Sequence, residues 1–276
     1  MTAFRSLLFA PANRPAIHPK ALESGADLVC LDLEDAVPPQ DKASARAVAA
    51  AFLSDAPGPG RVVRINALSS ADGLADLLAI VAARPRGGVV FLPKVNDPHE
   101  MRLVDAVLTE ANLPLHLAAL IETGDGLENA HAILMASPRI AFAMFGGVDL
   151  AADLGVAVAH EPLLYARSRL VHAASRAGVD VLDVPCLAFR DEGLIGAEAR
   201  VAKTLGFAGK AALHPAGIAA IHAAFAPTAD EIAKAREIVA AYRASPNGLA
   251  KVDGKLVEKP VVRAMQRILA SVGELS

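Results

Sequence analysis

Charged and polar side chains follow several short apolar runs of the chain, at the points where those runs end. Carboxylates placed close together repel one another unless a proton or a cation lies between them. Oxygen donors without histidine or cysteine neighbours favour Mg²⁺ or Mn²⁺, so the pattern predicts an oxygen-only metal site. The residues are Asp32, Glu34 and Asp35 after the second run, Arg64 and Asn66 after the third, Lys94 after the fourth, Glu122 after the fifth, Asp149 beyond the sixth, and His214 after the eighth.

Each of these side chains also has a structural interpretation. Glu122 and Asp149 would instead cap the helices that begin beside them, and Arg64 would pair with the acids of the second run. We favour substrate contact for Arg64 because it stands at the end of a run. His214 is interpreted as a packed, hydrogen-bonded group, and Lys94 would need a depressed pKa to act as a Schiff-base lysine.

The elements that would position these groups are eight apolar runs, separated by alanine- and leucine-rich stretches with helical spacing. Nearly continuous apolar runs favour parallel strands buried on both faces. Eight strand–helix units predict an α/β fold of the (β/α)₈ TIM barrel type, whose catalytic groups lie at the carboxyl ends of the strands. A doubly wound sheet is the alternative, but no G-x-G-x-x-G motif follows the first run. The runs are 6–9, 27–33, 62–65, 89–93, 116–121, 140–145, 179–184 and 210–213.

The predicted barrel domain occupies residues 1–227, and residues 228–276 form a C-terminal helical extension. Capping-box patterns begin at Asp97 and at Thr228. The extension has two helical patterns on either side of the stretch SPNGLAKVDGKLVEKP. Because it is too short for a large core of its own, we interpret it as a lid, a flap or an oligomer contact.

Composition excludes several classes of function. The formal net charge is −3, aromatic residues make up 4% and Trp is absent, so the chain lacks the basic stripe and stacking platforms of a nucleic-acid-binding protein. No apolar run approaches the roughly 18 residues of a membrane span, and the first stretch ends at Pro11, too early for a secretory signal. Cys30 and Cys186 stand apart beside apolar runs, as is typical of reduced core thiols in a cytoplasmic protein.

A series of motifs runs in order along the chain: RSLLFAPANRP, ADLVCLDLEDAVPPQDKASAR, VRIN, VFLPKV, ALIETGDGLENA, FGGVDLAADLG and GFAGKAALHPAGI. In this order they resemble the citrate lyase β-subunit-like (CitE-like) branch of the HpcH/HpaI aldolase family, over essentially the whole chain. The resemblance implies a Mg²⁺-dependent TIM barrel acting on short 3-hydroxyacyl-CoA thioesters. It would cleave malyl-CoA, citramalyl-CoA or citryl-CoA to acetyl-CoA and an oxo acid, so that coenzyme A enters as part of the substrate.

The resemblance also implies roles for individual residues. It places the metal ligands at Glu122 and Asp149, with Glu122 also catalytic and in contact with substrate, and the substrate-binding catalytic arginine at Arg64. Glu34 and Asp35 match acids that we expect to support the site rather than to react.

Two further pairs of residues concern substrate binding. Arg14 and Lys20 match the segment that lies near CoA in the family, although a solvated helix face is the alternative for both. Gly146 and Gly147 lack a Cβ atom, so we expect their backbone amides to approach the substrate carboxylate closely.

Three positions depart from the family pattern. Ala12 stands where the family has glycine, and Val148 replaces an acidic neighbour of the metal ligand, which changes the surroundings that tune metal affinity. Glu258, in VDGKLVEKP, occupies the place of an aspartate that closes over the neighbouring subunit's site. We expect Glu258 to act as the proton carrier there, with a surface role as the alternative, and a homotrimer or a dimer of trimers as the assembly.

Two other functions stay open at this point. One is a CoA-independent class II aldolase acting on pyruvate and a semialdehyde, against which the LDLEDAVPP motif and the long tail argue. The other is a non-catalytic subunit that holds CoA or a carrier, or a true citrate lyase β subunit that works on a carrier protein within a complex.

Overall fold

A computed structural model describes residues 4–54, 60–245 and 249–274. The described residues form two compact units, one ending at Phe225 and the other beginning at Ala226. In the first unit, eight parallel strands pair in chain order and the eighth pairs with the first, so the sheet closes into a barrel. The predicted TIM barrel is therefore confirmed.

Each of the eight apolar runs forms a strand. Where the structure differs from the expected bounds, the ends shift by one or two residues. The strands are β1 (Ser6–Pro11), β2 (Leu28–Asp32), β3 (Arg61–Arg64), β4 (Val89–Leu92), β5 (His116–Ile121), β6 (Ile140–Phe145), β7 (Asp180–Asp183) and β8 (Gly209–Ala212).

The strands are apolar on both faces because both faces are buried. Alternate residues such as Leu28 and Cys30 fill the barrel interior, where the tilted rings of Phe91 and Phe142 pack with their centroids 5.6 Å apart. The intervening residues pack against the surrounding helices in a second, larger layer. Cys30 and Cys186 are both buried and free, as the sequence predicted.

Helices alternate with the strands and cover the barrel. The capping boxes predicted at Asp97 and at Thr228 are both formed. Among the described residues, no helix combines the length and the apolar character needed to cross a bilayer. The helices of the first unit are α1 (His18–Leu22), α2 (Lys42–Ser54), α3 (Ala71–Ala83), α4 (Pro98–Glu110), α5 (Gly124–Glu128), α6 (Ala130–Leu134), α7 (Gly147–Leu154), α8 (His160–Ala177), α9 (Glu192–Leu205) and α10 (Gly217–Phe225).

The second unit contains two helices and a small antiparallel hairpin. The elements are α11 (Ala229–Ala244), β9 (Ala250–Val252), β10 (Lys255–Val257) and α12 (Lys259–Ser271). Asp253 and Gly254 make the turn with positive φ angles of 49° and 75°, the conformation that an Asp-Gly hairpin turn requires. The extension is thus not purely helical, and it has a small buried cluster of its own.

Candidate active site

A cavity of about 430 Å³ opens at the carboxyl ends of the barrel strands. Its walls include apolar side chains, and its charged groups come from strand ends and the loops beyond them. These charged residues are Asp32, Asp35, Arg64, Glu122 and Asp149. The structure therefore brings together acids and the arginine that the sequence places after four different strands.

Arg64 is fixed in this cavity by Asp32. Arg64 Nε donates to Asp32 Oδ1 at 2.7 Å, and Arg64 Nη2 donates to Asp32 Oδ2 at 2.6 Å. Asp32 is 3% exposed, and it also accepts the backbone N–H groups of Glu34 and Ala36. Burial opposes the charge on Arg64, but Asp32 and Glu34 outweigh it and raise the pKa of Arg64.

Glu34 lies between two cations. Its Oε2 forms an ion pair with Arg64 Nη1 at 3.0 Å, and its Oε1 accepts a hydrogen bond from Lys94 Nζ at 2.7 Å. Burial raises the pKa of Glu34, and both cations oppose that effect. Burial also acts to lower the pKa of Lys94, but Glu34 outweighs it and the pKa is raised. Lys94 is thus a charged partner of Glu34, which disfavours the Schiff-base interpretation.

Lys94 also uses its backbone to hold Glu122. The residue adopts a left-handed conformation with φ 51°, which is uncommon for a residue other than glycine. Its N–H donates to Glu122 Oε1 at 2.8 Å. The turn after β4 therefore fixes one oxygen of the carboxylate that follows β5.

Glu122 and Asp149 form a coupled carboxylate pair. Glu122 is 1% exposed, and Asp149 lies in the first turn of α7. Burial, followed by the negative charges of Glu34 and Asp149, raises the pKa of Glu122 to about 9, and the Glu122 and Asp149 side chains share a hydrogen bond. The pair thus retains a proton at neutral pH unless a cation replaces it.

Gly146 and Gly147, which precede Asp149, lie too close to other side chains to carry a Cβ atom. A Cβ atom on Gly146 would lie 2.3 Å from Glu122 Cβ and 2.7 Å from Glu122 Oε2. A Cβ atom on Gly147 would lie 2.9 Å from the Phe145 ring. Because Gly146 has no side chain, the Glu122 side chain can occupy the space beside it.

The remaining candidate residues are more peripheral or lie elsewhere. Asp35 is mostly exposed, with Oδ2 at 4.0 Å from Arg64 Nη2, and Val148 is exposed at the cavity wall. Arg14 and Lys20 are exposed on the segment after β1. Glu258 is exposed at the start of α12 in the second unit, where its side chain makes no capping hydrogen bond.

Four strand-end residues named from the sequence do not line the cavity, namely Glu34, Asn66, Lys94 and His214, although Glu34 contacts Arg64. Asn66 is buried and donates to Leu33 and Asp76. His214 Nδ1 accepts the N–H of Ala216. Asp32 was named only as one of the acids with which Arg64 would pair in the structural alternative, and it received no role of its own. Its position opposite Arg64 in the paired strands β2 and β3 was the signal that could have assigned it one.

The chain is similar to proteins named for citrate lyase and for malyl-CoA. The family model described as HpcH/HpaI aldolase/citrate lyase matches residues 5–215. A citrate lyase subunit beta-like protein of Deinococcus radiodurans is 38% identical, with 96% of each chain covered. A (3S)-malyl-CoA thioesterase of Cereibacter sphaeroides is 34% identical, over 97% of this chain and 94% of that one. The crystal structure of CitE from Mycobacterium tuberculosis with magnesium, acetoacetate and coenzyme A is 32% identical, covers 99% of each chain and gives a TM-score of 0.84.

Proposed function

The chain belongs to the HpcH/HpaI aldolase/citrate lyase family, as its motifs predicted, and from this we propose that it cleaves a carbon–carbon bond in a short 3-hydroxyacyl-CoA thioester. Malyl-CoA, citramalyl-CoA and citryl-CoA are the candidate substrates, and acetyl-CoA and an oxo acid are the products. The observation that carries the proposal is the cavity in which a fixed arginine faces a coupled pair of carboxylates.

The Glu122–Asp149 pair is suited to hold Mg²⁺, or Mn²⁺ in its place. Two carboxylate donors, one of them protonated in the absence of a cation, match an ion that takes few protein ligands and completes its shell with water and substrate oxygens. Among residues 4–54, 60–245 and 249–274, no three or more His, Cys, Asp or Glu side chains are grouped to hold a metal, so substrate and water must supply the other ligands. When bound, the ion would orient the substrate hydroxyl and carboxylate and favour ionisation of the hydroxyl.

Arg64 supplies the positive charge for the bond-breaking step. Cleavage transfers the electron pair of the carbon–carbon bond to the thioester, which becomes the enolate of acetyl-CoA. A guanidinium carries five N–H groups, so each terminal nitrogen of Arg64 keeps one that Asp32 and Glu34 do not use. These groups are prepositioned to stabilise the enolate oxygen, a contribution of about 3 kcal/mol.

Proton transfer completes the reaction. The substrate hydroxyl loses its proton as it becomes the carbonyl of the oxo acid, and the enolate carbon gains a proton as it becomes the methyl group of acetyl-CoA. We assign both transfers to Glu258 of a neighbouring subunit in a homotrimer or a dimer of trimers: its carboxylate accepts the hydroxyl proton and then donates that proton to the enolate carbon. Arg14 and Lys20 bind the phosphates of CoA. The amide of Gly147 receives the substrate carboxylate, whereas the expected role of the Gly146 amide is wrong, because that N–H donates to the carbonyl of Ile121 at 2.9 Å.

Thioester hydrolysis is the second candidate, because a relative 34% identical over nearly the whole chain is named a (3S)-malyl-CoA thioesterase. Hydrolysis would release free CoA and the intact hydroxy acid. The products of the two reactions share no molecule, so one analysis of products separates them.

The deciding experiment incubates the protein with each of the three thioesters, in Mg²⁺ and in EDTA, and follows all products by mass spectrometry. We expect Mg²⁺-dependent acetyl-CoA together with glyoxylate, pyruvate or oxaloacetate. Free CoA with the hydroxy acid would identify a thioesterase instead. Absence of turnover with every thioester would contradict both, and a parallel incubation with pyruvate and a semialdehyde would then test the CoA-independent aldolase.

A further inference from the structure

A second cavity, of about 530 Å³, lies on the outer side of β7 and β8, between α8 and α9. Much of its wall is hydrocarbon from Val158, Leu163, Leu187, Leu194 and Val201. Four of these five side chains are exposed, and only Leu163 is buried. A concave site with apolar walls and a few converging charged groups is the usual form of a small-molecule site.

The charged groups form a connected cluster at the β7–β8 side of this cavity. Lys210 Nζ lies 3.0 Å from Asp183 Oδ2 and 3.0 Å from Glu198 Oε2, and it donates to the carbonyl of Val184 at 2.6 Å. Arg167 Nη2 donates to the same Asp183 oxygen at 2.8 Å. Asp183 Oδ1 and Arg167 Nε are buried and have no hydrogen-bond partner among the described residues.

Glu198 differs from the other members of the cluster. The side chains of Lys210 and Asp183 are each 1% exposed, that of Arg167 is 10% exposed, and that of Glu198 is 39% exposed. Glu198 is therefore the member that can turn into solvent at low cost. Its departure would leave two buried cations facing one carboxylate, and a buried excess charge requires a counter-ion.

We propose that this cavity binds a small aliphatic monocarboxylate, whose carboxylate replaces Glu198 as the partner of Lys210. The hydrocarbon part of the ligand lies against the apolar wall. An amine would meet Lys210 and Arg167 with like charge, and a dicarboxylate would place its second charge against hydrocarbon, which has a high desolvation cost. The charge and the lining of the cavity therefore both select a single carboxylate on an apolar chain.

This site is separate from the candidate active site but adjacent to it. The two cavities share a wall formed by Val148, Val184, Pro185 and Leu187. None of the charged residues in the Lys210 cluster lines the first cavity. The proposal concerns binding alone, so it stands or falls independently of the reaction assigned to the first cavity.

The test is calorimetric titration of the full chain with 4-methylpentanoate, with 4-methylpentanamide as the neutral match of the same shape. We expect the acid to bind in the millimolar range and the amide at least tenfold more weakly. The Glu198→Gln variant loses the competing internal carboxylate, so it should bind the acid about tenfold more tightly, as removal of a competing charge predicts. If Glu198 itself bound the ligand, the Glu198→Gln variant would instead bind the acid more weakly than the wild type.

Two further variants locate the site. Ala197→Phe, on the α9 wall of the cavity, should abolish binding by filling the space. Glu192→Gln, an exposed acid of the same helix outside the cavity, should leave the affinity unchanged. Titrations in Mg²⁺ and in EDTA should agree, because the cluster is separate from Glu122 and Asp149.

Four results would overturn the proposal. They are no binding of the acid to the wild type or to Glu198→Gln, equal binding of acid and amide, unchanged affinity in Glu198→Gln, and full binding to a folded Ala197→Phe protein. Thermal melts of each variant establish that it is folded before the titration.

Discussion

The contacts of Arg64 require an arginine side chain at this position. Only a planar guanidinium can bond to both oxygens of Asp32 and still contact Glu34. Replacement by alanine would leave the buried Asp32 without its cation and Glu34 with Lys94 alone, and breaking a buried ion pair costs about 3–5 kcal/mol of stability. Lysine keeps the charge and is therefore the more informative replacement.

We predict that Arg64→Lys lowers kcat about 10²–10³-fold, the usual effect of losing one prepositioned donor, with a much smaller change in KM for the thioester. Steady-state kinetics on the substrate found by product analysis provides the measurement. Arg61→Lys, at the other end of the same strand, is the matched control and should retain kcat. Comparable loss in both variants would remove the specific role of Arg64.

Gly146 permits a second prediction at this scale. A methyl group there would collide with Glu122 at 2.3 Å and 2.7 Å, so Gly146→Ala must displace that carboxylate. We expect the affinity for Mn²⁺, measured by electron paramagnetic resonance, to fall about 10–100-fold, as for other disturbances of a metal's surroundings. In Gly124→Ala the new methyl group would meet its nearest atom, Asp153 Oδ2, at 3.4 Å, and Mn²⁺ binding should persist. Unchanged Mn²⁺ affinity in Gly146→Ala would argue against Glu122 as a ligand.

At the scale of elements, the apolar runs predicted all eight strands because a parallel strand buried on both faces has little freedom in composition. The hairpin of β9 and β10 was missed, although its Asp253-Gly254 turn was visible in the sequence, because each strand has only three residues. The rule that functional groups lie at strand ends also predicted the charged residues that line the cavity. The left-handed turn at Lys94 could not be predicted in this way, because it depends on tertiary contacts. The pairing of Arg64 with the acids of the second run was predicted only as an alternative, and register was needed to single out Asp32.

Helix α10 is joined to strand β1 by a partly buried histidine. His222 Nε2 and Ser6 Oγ are 2.7 Å apart, and Asp27 Oδ2 lies 3.5 Å from the same ring nitrogen. Burial lowers the pKa of His222, and the charge of Asp27 only partly opposes this. The unfolded chain therefore binds the proton at a higher pH than the folded chain does.

The direction of the pH effect follows from this difference. Neutral His222 stabilises the folded chain fully above its pKa in the unfolded chain, about 6.5. This contribution is lost as the pH falls toward the lower pKa of His222 in the folded chain. We predict that the free energy of unfolding in urea falls between neutral and mildly acidic pH, and that His222→Gln, which cannot titrate, reduces this fall. The exposed His99→Gln variant should keep the wild-type slope. An identical slope in His222→Gln would show that the histidine does not contribute.

At the scale of the whole molecule, the proposed reaction draws on both units of the chain. The proposed metal ligands and Arg64 belong to the barrel, whereas Glu258 belongs to the unit that begins at Ala226. If Glu258 serves a neighbouring subunit, every complete active site combines a barrel from one chain with an extension from another. A closed ring of identical subunits satisfies this requirement for all its sites at once.

Mixed oligomers test this arrangement directly. Glu122→Gln inactivates the barrel site and Glu258→Gln inactivates the extension, so each variant alone should be inactive. When the two are co-expressed with different tags and assemble at random, about a quarter of the sites unite an intact barrel with an intact neighbouring extension. We therefore predict that the unselected mixture recovers about a quarter of wild-type activity, and that mixed trimers purified through both tags recover about a third, because one neighbour pair in three is productive in each such ring. Extensions acting within their own chain would leave every site with one defect and the mixture inactive, and full activity of Glu258→Gln alone would show that this carboxylate is not the proton carrier.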